Sequence, residues 1–455
     1  MSENVVLVTY DSLRADHCGF MGYDRDTTPA LDRLAENGIV FENAVASGVP
    51  TIASMTSVMT GEHSLASPEI GFNTEQREQV TSRPTVAELL SEAGYSTGAL
   101  SPNPPASSYF GFDDGFDWFE DFLAEDEGVV ERAWNRIFRS SIEGGGLSTY
   151  VRLAKNVATK DEILRPWADF YDEILAWRER VEEPYFLWVL LLEPHHPWMP
   201  PADYQEWSSR SDKYRAFRQY YEMFTGGWTP DFDDATHDRL VNLYDDSIRY
   251  GDEFLAQLQS DLAEDDPTFV VHADHGEEFG EHGRYGHQPH LTEELIHVPL
   301  VVGKPDGGAV GGTDEFEVGE SEASEPGAGI VSDPVELRQI APTIADLAGV
   351  SHPFEVPSLL ADRDGGAGGG RPWVTSKVFA EGERRAAVRS RSGKYLADGD
   401  REALYDLGSA AGEQANRVDE SPEGQAAFRD ALSRHVATEQ EKRAVRSVRE
   451  EVSES

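Results

Sequence analysis

The chain has 455 residues, 39% of them hydrophobic, enough for one large core and a smaller attached one. Its 84 acidic against 39 basic residues give a formal net charge of −45, which leaves no basic patch for nucleic acid and points to a surface adapted to a saline cytoplasm. No apolar run approaches the roughly 20 residues of a membrane span, the start MSENVVLVTYDSLRAD lacks the basic-then-apolar order of a signal peptide, and a single cysteine excludes an intrachain disulfide, so the expected location is cytoplasmic.

In chain order, VVLVTY (Val5 to Tyr10) reads as a buried first strand. Cys18, in DHCGFMG, reads as a space-filling residue. TTPALDRLAENG predicts a helix with Thr28 as cap, Pro29 in the first turn and Gly38 at the stop. A second helix begins in VPTIASMTSVMTG, and RPTVAELLSEAG predicts a third that ends at Gly94. The strand YSTGALS (Tyr95 to Ser101) follows. Residues 123 to 183, with charged helical segments such as ERAWNRIFR and WADFYDEILAWRERV, read as an insert able to form a lid. Three more strands are predicted: YFLWVLLL (Tyr185 to Leu192), TFVVHA (Thr268 to Ala273) and VPLVV (Val298 to Val302). Residues 304 to 332, rich in Gly and acid, read as a mobile loop, and DPVELRQIAPTIADLAG as a helix closed by Gly349. Beyond the GGAGGG linker, VTSKVFAE, AAVRS, KYLA and EALYDL predict a small antiparallel sheet, then a polar helix.

Apolar strands alternating with helices predict an α/β fold: a mostly parallel central sheet with helices on both faces, plus a small C-terminal antiparallel subdomain. The expected division is residues 1–362 for the main domain and 371–455 for the subdomain.

Chemistry-bearing residues cluster at strand ends. Asp11 directly follows VVLVTY, and Asp274 and His275 directly follow TFVVHA. In an open parallel sheet the carboxyl ends of the strands form the ligand crevice, so these groups converge there, and two carboxylates with an imidazole suit a divalent metal. His275, His282, His287 and His290 lie in one Gly-rich loop able to fold back on such a metal. His195 and His196 sit in LEPHHPWMPP, whose prolines fix the loop after a strand. Thr51, where a helix starts, has two readings: an N-cap, or a hydroxyl activated by a metal at the positive end of a helix.

Several segments together resemble the sulfatases of the alkaline phosphatase superfamily: VLVTYDSLRADHCGFMGYDRDTTPALDRLAENGIVFENAVA, LEPHHPWMPP, HADHGEEFGEHGRYGH with LTEELIHVPLVV, DPVELRQIAPTIADLAGV, AVRSRSGKYL and LYDLGSAAGEQAN. They occur in the family's order from residue 4 to about 416. The resemblance implies a metal-dependent esterase core with a small C-terminal sheet. It matches Asp11, Asp274 and His275 to metal ligands, with Thr51 at the nucleophile position. His195 and His287 match residues that contact sulfate or phosphate oxygens or a second metal, and Asn103 matches a further anion contact. The departures are specific. Formylglycine-type sulfatases carry Cys or Ser, Pro and Arg where this chain has Thr51, Ala53 and Met55; Ser12 stands where a second carboxylate is usual, and His287 where a lysine is common. Threonine cannot become formylglycine. The pattern looks like superfamily branches with a threonine alkoxide, which implies zinc or manganese ahead of calcium and a small phosphate or sulfate ester as substrate. A non-catalytic metal-binding member and a phospho-group transferase are the alternatives this pattern leaves.

Overall fold

The computed structural model describes residues 3–64, 74–121, 165–308, 310, 329–361, 373–380, 383–399, 401–420 and 425–437. Its centre is an eight-stranded sheet. Numbering its strands in chain order, they are β1 (Val5–Tyr10), β2 (Ile39–Phe41), β3 (Ser96–Leu100), β4 (Trp118–Glu120), β5 (Tyr185–Leu191), β6 (Thr268–Ala273), β7 (Leu300–Gly303) and β8 (Gly329–Val331). Their spatial order is β8-β2-β7-β6-β1-β5-β3-β4. β1, β5 and β6 are buried along their whole length, as continuous apolar runs with helices on both faces must be.

Register decides where the site lies. In β1, Tyr10 pairs with Leu191 of β5 on one side and with Ala273 of β6 on the other. The three strands therefore end level, and the residues that follow them leave the sheet side by side.

One expected strand runs the other way. The VPLVV segment yields β7, which is antiparallel to both β2 and β6. The chain returns from β6 through a loop and the one-turn helix Glu293–Ile296, and so re-enters from the carboxyl end rather than crossing over. The 304–332 segment also differs from a loop at its end, where β8 pairs in parallel with β2; residues 311–328 lie outside the described residues.

The predicted helices form at Pro29–Asn37, Val86–Glu92 and Ile340–Leu347. Thr28 does not cap the first: its hydroxyl instead donates to Asp32 and accepts from the Gly19 N–H. The carboxylate of Asp252, reaching from a neighbouring helix, accepts the N–H groups of Ala30 and Leu31. A true capping box sits at Thr85, with Glu88 reciprocating. Much of the 123–183 insert, residues 123–164, lies outside the described residues. Its end is core rather than lid: Trp167, Phe170, Ile174 and Trp177 are buried, and Trp177 stacks on Trp118 at 5.8 Å. Gly98 makes room for that stack, because a Cβ there would meet the Trp177 ring at 2.4 Å.

The 28-residue helix Asp234–Asp261 was not legible from periodicity. Its inward face carries Asp245, Asp246 and Asp252, all buried, which break an apolar stripe. Each holds loops instead: Asp245 binds His17, Tyr23 and Arg25, and Asp246 accepts three consecutive backbone N–H groups from Glu206 to Ser208. No helix among the described residues is long and apolar enough to cross a membrane.

The C-terminal strands form a separate four-stranded antiparallel meander, β9 (Val374–Ala380), β10 (Glu383–Arg389), β11 (Gly393–Asp398) and β12 (Arg401–Asp406). It is joined to the main body at several places, Arg385 to the Pro289 carbonyl among them. The Lys377 N–H donates to the Ser47 carbonyl, and Thr375 meets His63. Farther along, Arg389 and Lys394 pair with Glu293. A helix over 425–437 follows; the linker before β9 lies outside the described residues.

Candidate active site

Because β1 and β6 end level, Asp11 and Asp274 emerge as neighbours, each fully buried. Ser12 locks them together. Its N–H donates to Asp274 Oδ1 (3.1 Å) and its hydroxyl to Asp11 Oδ1 (2.8 Å). Ser12 takes a left-handed backbone (φ 68°), a costly conformation for a residue with a Cβ. The Tyr244 hydroxyl, which donates to the Ser12 carbonyl and accepts from the Arg14 N–H, holds the turn in place.

The second element is the helix Thr51–Thr60, buried on every side. Its N-cap is Pro50, so Thr51 is the first helical residue and its side chain caps nothing. That excludes the N-cap reading. The hydroxyl instead lies 3.3 Å from His275 Nε2, 3.5 Å from Asp11 Oδ2 and 3.5 Å from Asn103 Nδ2. Asn103, just beyond β3, also donates to Asp11 Oδ2. The positive end of the helix dipole falls at Thr51.

The third element comes from two loops. His195 and His196 follow β5. His287 returns through the loop after β6, with its ring 4.6 Å from that of His275 and 4.8 Å from that of His195. Side-chain nitrogens of His195, His196 and His287 lie within 4.8 Å of one another. Of the four histidines in the Gly-rich loop, only His275 and His287 reach this place. His282 pairs with Glu294 at 2.9 Å, and His290 meets Arg385. Cys18 is buried away from the site, its sulfur 3.5 Å from the Arg14 carbonyl, and burial pushes its thiol pKa up, which suits a filler.

Burial and charge make this a site of high electrostatic cost. Burial and the nearby Asp11 push the Asp274 carboxyl up to about 7. Burial opposes ionisation of Asp11 as well, but His195, His275 and His287 hold it below the usual range. For His195 burial wins and lowers its pKa to about 3; for His275 the two carboxylates overcome burial and raise it. No Lys or Arg among the described residues pairs with Asp11 or Asp274, and Asp274 Oδ2 is buried without a hydrogen-bond partner. Asp11, Asp274 and His275 place ligand atoms within 4.8 Å of one another. An orphaned carboxylate oxygen, a second carboxylate and an imidazole fit a divalent cation, which would supply the missing positive charge.

Sequence reasoning passed over Glu277. It is fully buried and accepts from His196 Nδ1 at 3.0 Å and His287 Nδ1 at 2.9 Å. The signal available was its position two residues after His275 in DHGEEFG.

Comparison with known proteins agrees with this geometry. A family model described as Sulfatase matches residues 3–350. The chain is 25% identical over 406 residues to an arylsulfatase of Clostridium perfringens, covering 79% of this chain and 77% of that one. It is 24% identical over 403 residues to human iduronate 2-sulfatase, covering 78% and 70%. Among solved structures, the phosphonate monoester hydrolase of Agrobacterium radiobacter superposes with a TM-score of 0.66 at 18% identity over 97% of this chain and 96% of that one. A protein solved with its substrate D-glucosamine-2-N,6-O-disulfate gives 0.66 at 17% identity, over 96% and 97%. The level strand ends, the buried carboxylate pair and the extent of these matches lead to one assignment: the chain belongs to the sulfatase family, with its alkaline phosphatase-like fold, and is a sulfatase-like ester hydrolase.

Proposed function

We propose that this protein is a metal-dependent hydrolase of small phosphate- or sulfate-type esters that works through a covalent Thr51 intermediate, with a phosphorus ester as the preferred substrate. The observation that carries the reading is the Thr51 hydroxyl, which caps no helix and lies 3.3 Å from His275 and 3.5 Å from Asp11. Asp11, Asp274 and His275, with the Thr51 oxygen, would hold the cation. The nitrogen donor and the serine in place of a further carboxylate favour zinc or manganese over calcium. When bound there, such an ion lowers the pKa of an adjacent hydroxyl and stabilises charge on an ester oxygen.

The chain's own residues do the rest. The N-terminus of the Thr51 helix faces the anionic ester, and Asn103 orients Asp11 while reaching the same anion. His195 and His287 hold its oxygens and protonate the departing alcohol. Water then frees Thr51. Threonine cannot support formylglycine chemistry, and an alkoxide nucleophile favours phosphorus as the electrophile.

The test is turnover of aryl phosphate, aryl phosphodiester, aryl phosphonate and aryl sulfate in molar KCl with zinc, manganese or calcium. Turnover that disappears in Thr51→Ala supports the reading. Undiminished turnover in that variant overturns the nucleophile, and no turnover of any ester with metal still bound favours a non-catalytic member.

A further inference from the structure

We propose that Glu277 is a positioning residue for ester cleavage: it fixes the ring of His287, with His196 alongside, so that His287 presents Nε2 to the departing oxygen. This rests on the hydrolase reading above.

The geometry is that of a fixed bracket. Glu277 is fully buried, and each of its carboxylate oxygens takes one imidazole, Oε1 from His196 Nδ1 and Oε2 from His287 Nδ1. Its backbone is held in turn, since the Arg14 guanidinium donates to the Glu277 carbonyl at 3.2 Å. The two rings lie 4.7 Å apart with their planes within 28°, and Trp228 and Tyr220 pack against the far side of His196 at 5.0 and 5.2 Å. A carboxylate acceptor at Nδ1 fixes the tautomer and the ring plane together. Nε2 of His287 is then the only ring nitrogen left for substrate, and among the described residues it has no hydrogen-bond partner. His287 lies between His275 and His195, beside the Thr51 hydroxyl's own neighbour.

The step is as follows. Thr51 Oγ, present as the alkoxide that the second step regenerates, forms the bond to phosphorus or sulfur. The bond to the alcohol oxygen breaks with its electron pair going to that oxygen, which takes a proton from His287 Nε2. In the second step a water oxygen displaces Thr51 Oγ, and His287 Nε2 recovers the proton from that water. Misaligning the ring by even one rotamer removes the proton path while leaving the cation ligands and the nucleophile in place.

The experiment compares Glu277→Gln with the wild type on phenyl and 4-nitrophenyl esters of the same acid. A poor leaving group needs the proton and a good one does not. The expected loss in kcat is about 100-fold for the phenyl ester and less than about 10-fold for the 4-nitrophenyl ester, with KM and bound metal unchanged. In a His287→Asn background the same substitution adds less than about threefold, because the two act as one unit. Equal losses on both esters, no loss on either, or additive losses in the double variant overturn the role. If Glu277→Gln fails to fold, Glu277→Asp, whose shorter carboxylate reaches one imidazole at most, shows the same leaving-group asymmetry at lower amplitude or overturns the proposal by its absence. A wild type that turns over none of the esters overturns the hydrolase reading together with this role, whereas the outcomes above overturn the role alone.

Discussion

Among the described residues, two places bring two carboxylates and a histidine within 4.8 Å of one another: Asp11, Asp274 and His275 at the carboxyl end of the sheet, and His282, Glu294 and Glu413 where the small sheet meets the main body. By side-chain type they differ little. At the second, positive charge is built into the protein. Lys394 Nζ lies 2.8 Å from Glu413 and 3.2 Å from Glu293, Arg389 pairs with Glu293 at 2.9 Å, and His282 reaches Glu294. At the first, no Lys or Arg among the described residues approaches either carboxylate, and only the His275 imidazole, 3.5 Å from Asp274 Oδ2, stands against the pair. Charge balance, not the identity of the ligand-type residues, separates a cation site from a salt-bridged joint.

That contrast can be broken at several points. Thr51→Ala removes the proposed nucleophile from the unbalanced cluster, and kcat/KM for the best ester falls by about 10⁴-fold, while the metal, read by elemental analysis, stays bound. Asp274→Asn takes away the orphaned oxygen's charge and weakens zinc or manganese binding by about 1,000-fold in a competition titration; Glu294→Gln, at the balanced cluster, leaves metal affinity and stoichiometry as they were. If Glu294→Gln also costs the protein a metal ion, the distinction between the two clusters is lost. Lys394→Met strips the joint of a fully buried cation and lowers unfolding free energy in urea by about 3 kcal/mol, the lower end for a broken buried pair because Arg389 still serves Glu293.

The smallest effect concerns pH. The hydrogen bond to Glu294 raises the His282 pKa above its ordinary value, although burial opposes it. A histidine with a raised folded-state pKa binds its proton more tightly folded than unfolded. Its contribution is therefore complete below the unfolded value near 6.5 and is lost as pH rises through the folded value. His282→Gln flattens that part of the stability–pH curve, and an unchanged curve would show that the pair contributes nothing.

The main features of the sheet and the ligand cluster were legible because they rest on local order. Apolar runs mark β1, β5 and β6, and Asp11 and Asp274 directly follow β1 and β6; after β5 the first polar residue, Glu193, instead accepts from the Trp167 N–H, and His195 comes two positions later. Thr51 was legible only as a choice between cap and nucleophile, since both need a hydroxyl at a helix start; Pro50 takes the cap position, which removes the first reading and leaves the second as the one proposed above. The direction of β7 was hidden because an apolar run has no polarity in sequence. Glu277 was hidden for a different reason: nothing local tells a bracket between two distant imidazoles from one more acid in a chain with 84 of them.

The bond from the Lys377 N–H to the Ser47 carbonyl joins a strand of the C-terminal sheet to the loop that leads into the Thr51 helix. During synthesis that loop must wait, unsupported on this side, until most of the chain has left the ribosome. An unfinished chain thus lacks one of the two bonds to the Ser47 carbonyl, the other coming from His63 within the main body.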